Sequence, residues 1–176
     1  MLRKLLSLYM DALQKYPMST TSIGAGVLMF GGDAISQIGI EEKSEYNFKR
    51  GFRFLAFGTI LAGPMLRTWH VFLARTIEAH SKRLTFLKMT AADQTIMPPV
   101  FLSIFISVMT YSKTFSREAV QTALKNDFKP VLLNSYKIWP AVQLINFYFV
   151  PLHHRVLFTN VIALLWNTYL AWKTER

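Results

Sequence analysis

Residues 134–173 read NSYKIWPAVQLINFYFVPLHHRVLFTNVIALLWNTYLAWK. The stretch is mostly apolar and aromatic, yet it holds Asn134, Gln143, Asn146, Asn160 and Asn167, with Arg155, Pro140 and Pro151. Wound into helices, its polar residues fall into stripes. Trp139, Gln143, Asn146 and Val150 follow i, i+4, i+7, i+11 spacing and share one face, and Asn160, Ala163, Asn167 and Ala171 share a second. Amides on an oily helix need partners, because hydrocarbon offers no water to bond them. The stretch therefore reads as helices that face other helices inside a membrane, with polar contacts between them and bends at Pro140 and Pro151.

The composition agrees with that reading. Of the 176 residues, 52% are hydrophobic and only 17% are charged, both displaced from soluble averages toward membrane proteins. The net charge of +10 is spread along the chain, mostly between apolar segments. A nucleic-acid binder would gather its basic residues on one face or run, so direct nucleic-acid binding is not expected. The absence of cysteine excludes disulfides, thiol catalysis and cysteine-held metals.

Upstream of the quoted stretch, residues 2–15 form an amphipathic helix. Leu2, Leu5, Leu6, Tyr9 and Leu13 lie on one face and Arg3, Lys4, Asp11 and Lys15 on the other. This helix either lies in the headgroup region or packs on the bundle. Residues 18–40 are a first span, with Asp33 as their one charge and many small residues that permit close backbone approach. Residues 41–49 are a polar loop. Residues 50–76 are a second span, kinked at Gly63-Pro64, and residues 89–112 a third, interrupted at Pro98-Pro99. Residues 116–128 read as a short surface helix capped by Ser116, and residues 131–150 as a fourth span. Residues 156–172 are a fifth, short span or a helix lying against the bundle. The expected fold is thus an all-α, polytopic membrane helix bundle of four or five spans in one domain, residues 1–176.

These residues also carry a family resemblance. Gly32-Asp33 with Gln37, Gly63-Pro64 with Trp69, Asp93-Gln94 with Pro98, and the string from Asn134 through Trp139-Pro140, Gln143, Asn146-Phe147, Val150-Pro151, Arg155 and Asn160 to Trp166-Asn167-Thr168-Tyr169-Leu170 together resemble the Mpv-seventeen and peroxisomal-membrane-protein family. The resemblance runs from about Tyr16 to Lys173 and is most similar to the mitochondrial inner-membrane branch. It implies a small multi-pass protein of that membrane, or alternatively of the peroxisomal membrane. It also implies a channel or pore activity and a link to mitochondrial DNA maintenance and nucleotide supply. The chain departs from the family pattern after Gly63-Pro64, where it has Arg67, Trp69-His70 and Arg75, and at Ala171.

Two readings of the polar residues follow. In the first, Asp33, Gln37, Asp93 and Gln94 line a solute path, with Arg67 or Arg155 as counter-charge, since an intramembrane carboxylate is costly and faces a cavity or a partner. In the second they are structural ion pairs between helices. Asn134, Gln143, Asn146, Asn160 and Asn167 read as packing amides, and Tyr136, Trp139, Trp166, Tyr169 and Trp172 as including interface anchors. Adjacent His153 and His154 point apart on a helix and lack a third ligand nearby, so neither a metal nor a cofactor is expected. No nucleophile motif or phosphate loop marks an enzyme. The expected partners are the lipid bilayer, further copies of the chain, and a small polar solute if it conducts. The rival to a pore is a non-conducting scaffold.

Overall fold

A computed structural model describes residues 2–77, 81–150 and 155–175. Among these every regular element is helical: α1 (Leu2–Lys15), α2 (Pro17–Ile35), α3 (Phe48–Phe57), α4 (Gly63–Thr76), α5 (Lys82–Thr114), α6 (Arg117–Tyr148) and α7 (Arg155–Glu175). A π-helical turn, Ser36–Ile40, prolongs α2, and a second, Gly58–Ala62, joins α3 to α4 into one rod. The second π turn precedes Pro64, which has no N–H to give to the preceding turn. Widening the helix there lets the Gly63 N–H reach the Gly58 carbonyl instead.

Five rods run side by side: α2, α3–α4, α5, α6 and α7. The α3–α4 rod is antiparallel to α2, with Arg50 beside Asp33 and Gly58 beside Gly26. It is antiparallel to α5 as well, with Phe54 against Phe105 and Trp69 against Asp93. Helices α6 and α7 are antiparallel, tied from Asp127–Lys173 through Asn134–Tyr169 to Asn146–Thr159. The seam between α2 and α3–α4 is made of small residues. A Cβ on Gly58 would meet the backbone of Ala25 and Gly26, and one on Gly32 would come within 2.7–2.8 Å of Asn167 and Thr168 on α7.

The core is filled by Phe54, Phe57 and Phe105, with Phe101 packed against them and Met29, Leu102, Ile106, Met109, Val131 and Leu170 around them. The outer surface is apolar too: Ile23, Val27, Ile60, Leu144 and Leu165 are each more than half exposed. A chain dissolved in water does not present so many large apolar side chains outward. Two stretches, Pro17–Ile40 and Leu87–Thr114, are long and apolar enough to cross a bilayer, with mean hydropathies of 1.4 and 1.5.

Several boundaries differ from those read in the sequence. The expected surface helix at 116–128 and span at 131–150 are one helix, α6, running through Pro130 and Pro140. Each proline removes one backbone bond, but the helix is gripped by α5 and α7, with Val131 and Ser135 buried just beyond Pro130. Likewise α5 continues through Pro98 and Pro99. It ends where Phe115 takes a left-handed conformation (φ 52°), and Ser116 Oγ then caps α6 by accepting from the Ala119 N–H at 3.2 Å. Residues 156–172 belong to α7, which is held between α2 and α6 with Leu170 and Ala171 fully buried. The small-residue face of α2 packs on protein, whereas Ile23, Val27 and Ile38 face outward, so the first segment is not enclosed on all sides. Pro151, His153 and His154 lie outside the described residues.

Candidate functional site: two polar clusters at opposite ends of the bundle

The first cluster is built where α2 ends and α3 begins. Asp33, Gln37 and Glu41 follow one another at i, i+4 and i+8, so they line one face of α2 and its π turn. Arg50, on the first turn of α3, meets Asp33 and Glu41 from the opposite rod. Its Nε lies 2.5 Å from Asp33 Oδ1, its two terminal nitrogens donate to the two Glu41 oxygens at 2.7 Å each, and one of them also donates to Ser36 Oγ at 3.3 Å. Asp33 uses its other oxygen to accept from Gln37 Nε2 at 2.7 Å. The Asn47 N–H donates to Gln37 Oε1 at 2.7 Å, and Asn47 Oδ1 caps α3 by accepting from the Arg50 N–H at 3.1 Å. Asp33 and Gln37 are 0% exposed and Arg50 is 2% exposed. Lys43 sits 2.9 Å from Glu41 at the solvent side, so two cations face two carboxylates.

A two-point fork of this kind holds a carboxylate ionised. Hydrogen bonds from Arg50, opposed by partial burial, bring the Glu41 carboxyl from 4.5 down to about 2. Tyr46, also in the loop, has its hydroxyl pushed up by burial and secondarily by Asp33. Close by, Arg53 and Lys113 converge on Glu175 at 2.9 and 3.3 Å and fasten the end of α7 to α3 and α5.

The second cluster lies at the other end, between α4 and α5. The Trp69 indole donates to Asp93 Oδ1 at 2.9 Å, His70 Nε2 is 3.6 Å from the same oxygen, and Gln94 Nε2 donates to Asp93 Oδ2 at 3.1 Å. The Asp93 side chain is 23% exposed and that of His70 is 60% exposed. Among the described residues no Lys or Arg pairs with Asp93 as Arg50 pairs with Asp33. Below the cluster runs an apolar groove of about 610 Å3 between the two helices.

The sequence-read residues divide accordingly. Asp33 with Gln37, and Asp93 with Gln94, are not brought together. Most of the α3–α4 rod separates the pairs, roughly 28 Å at about 1.5 Å per residue. The counter-charge of Asp33 among the described residues is Arg50 rather than Arg67. Arg67 is half-buried on α4 and joins neither cluster, and the Arg155 side chain lies outside the described residues. Arg50 and Glu41 were missed because a basic span end and a polar loop look like solvated positions. The signal for them was the continuation of the Asp33–Gln37 spacing to Glu41. Asn134 Nδ2 reaches the Tyr169 hydroxyl at 2.8 Å and Asn146 reaches Thr159 at 3.3 Å, both across α6–α7. Gln143, Asn160 and Asn167 are half-buried, and Asn167 marks the close crossing with Gly32. Trp139, Trp166 and Tyr169 form a ring ladder between α6 and α7, with Trp166 buried, so these three pack inside the bundle rather than at its rim. Among the described residues no three His, Asp or Glu side chains gather as a metal site would require.

Comparison with known proteins gives a consistent result. The model of the Mpv17 / PMP22 family matches residues 112–171. A "Mitochondrial inner membrane protein Mpv17" of Xenopus laevis is 35% identical over 96% of both chains, and the Homo sapiens protein of that name is 35% identical over the same shares. "Protein SYM1" of Gibberella zeae is 33% identical over 93% of this chain and 94% of its own. No solved structure matches.

Proposed function

The chain belongs to the Mpv17 / PMP22 family and resides in the mitochondrial inner membrane, and on that premise we propose that it is a small pore for polar metabolites, shut in this conformation by the Asp33–Arg50–Glu41 knot. The observation that carries the reading is the knot itself. Two carboxylates and a guanidinium set against apolar helices are expensive, and ionisable groups kept in such places serve a path or a switch by default. On this reading all five rods cross the bilayer, and the start of α2 and the end of α7 lie on opposite faces. The knot closes one mouth and the Phe54–Phe57–Phe105 packing fills the middle. Opening separates α3 from α2 along the glycine seam, where the two backbones meet at Gly26 and Gly58. The class of solute is the one the family resemblance implies, nucleotide precursors and similar polar metabolites. The reading assigns the chain no reaction, no cofactor and no direct contact with nucleic acid. Copies of the chain in the membrane are its natural neighbours.

One observation favours a second reading, a non-conducting scaffold: the centre of the bundle is packed with aromatic side chains. Purified protein in liposomes separates the two. The pore reading expects passage of polar solutes of metabolite size, with higher flux in Arg50→Lys, which keeps the charge but loses the fork to Glu41. No flux from either protein at any voltage or pH leaves the scaffold standing.

A further inference from the structure

We propose that the groove between α4 and α5 holds one acyl chain of a bilayer glycerophospholipid, with its phosphate at the His70–Arg75 end. Ile60 from the π turn Gly58–Ala62, Pro64 and Phe72 from α4, and Ile96, Met97 and Val100 from α5 form its walls. Its volume of about 610 Å3 falls within the ~300–1,000 Å3 usual for ligand sites. Ile60 is 68% exposed, and Phe72, Ile96 and Val100 are about half exposed, so the groove opens sideways onto the hydrocarbon of the membrane in which the chain resides. The neighbour that such a surface meets is a lipid chain.

The groove is polar at one end only, and that end lies where a headgroup would be. Asp93 stands six residues inside the apolar stretch Leu87–Thr114, ~9 Å along the helix from its start. Trp69, on the groove wall, turns its indole N–H to Asp93, as an aromatic at the level of the headgroups does. Arg75 follows Phe72 by three positions and so prolongs the same stripe of α4 beyond the groove. It is exposed and has no ion-pair partner among the described residues. His70 is exposed beside Asp93 and turns a second nitrogen-bearing ring toward the same level. A cation at the mouth and apolar walls behind it match a phosphate followed by an acyl chain. The proposal depends on residence in the membrane and not on the pore reading.

Native mass spectrometry of the detergent-purified chain tests this with phosphatidylglycerol, phosphatidylcholine and diacylglycerol of equal chain length. One phospholipid should remain bound to the wild type, and diacylglycerol should not. Val100→Trp fills the groove and should lower occupancy about tenfold, the effect of losing roughly two methylene groups of contact. Val161→Trp, on the exposed face of α7, should leave it unchanged. Equal retention in the two variants overturns the site, and retention of diacylglycerol as strongly as phospholipid overturns the phosphate contact. If Val100→Trp does not fold, quenching by chains brominated near their headgroup end decides the matter. The emission that Trp69→Phe removes should be quenched more strongly than the remainder, and quenching no stronger than the remainder overturns the proposal.

Discussion

Two aspartates in apolar helices have opposite surroundings. Asp33 is sealed: it is fully buried, faces Arg50 across a rod–rod seam, and belongs to a cluster with equal numbers of cations and carboxylates. Asp93 is open: its partners are an indole, the neighbouring Gln94 amide and an exposed imidazole, and a lateral groove runs beside it. The difference follows from what lies opposite each residue rather than from the residue. Glycines let α3 come close enough to α2 for a guanidinium to reach a carboxylate, whereas bulky Pro64, Trp69 and Phe72 hold α4 away from α5. The same costly group is locked in one place and left available in the other.

The largest expected effect breaks the sealed end. Arg50→Leu leaves Asp33 and Glu41 without their cation and should cost about 3–5 kcal/mol, measured as thermal unfolding in detergent. Asp93→Asn should cost less than about 1 kcal/mol, because the amide oxygen still accepts from Trp69. Equal losses from the two variants would erase the distinction.

Acid should weaken the sealed end next. The Glu41 carboxyl is lowered from 4.5 to about 2, so its contribution is fully present above about pH 4.5 and is lost as pH falls through about 2. The stability at stake is up to about 3 kcal/mol. Glu41→Gln should flatten the curve between those limits. An unchanged slope in a pH series of melting temperatures would mean that the fork to Arg50 is not held in solution.

A smaller effect sharpens the role of the seam. Gly58→Ala and Gly32→Ala each place a methyl group against backbone and should cost about 1–3 kcal/mol. Gly24→Ala, with nothing within 4 Å of the added carbon, should be neutral or stabilising by up to about 1 kcal/mol. Smallest of all, Asn146→Ala should cost about 0.6 kcal/mol, the usual worth of an interhelical side-chain bond in a membrane, read from denaturant unfolding in mixed micelles.

The helical class and the approximate course of the spans were legible because long apolar runs with polar stripes have few other solutions. Boundaries at Pro98 and Pro130 were not. Proline is a strong local signal, but packing on both sides of α5 and α6 outweighs the single bond each proline removes. Asp33 with Gln37 was legible as a pair from its i, i+4 spacing. Its cation was not, because Arg50 lies on another rod and its contact depends on how closely two backbones approach. Trp69 was visible only as part of a family motif. Its bond to Asp93 joins two helices, and no spacing within one helix could have revealed it.

A double-mutant cycle on Asp33 and Arg50 tests the sealed cluster most directly. Unfolding free energies would be measured for Asp33→Leu, Arg50→Leu and the double variant in the same micelles. A directly paired buried carboxylate and guanidinium predict that the double variant recovers more than about 2 kcal/mol relative to the sum of the single losses. Losses that simply add, to within about 0.5 kcal/mol, would mean that the two charges do not hold each other and would contradict the account.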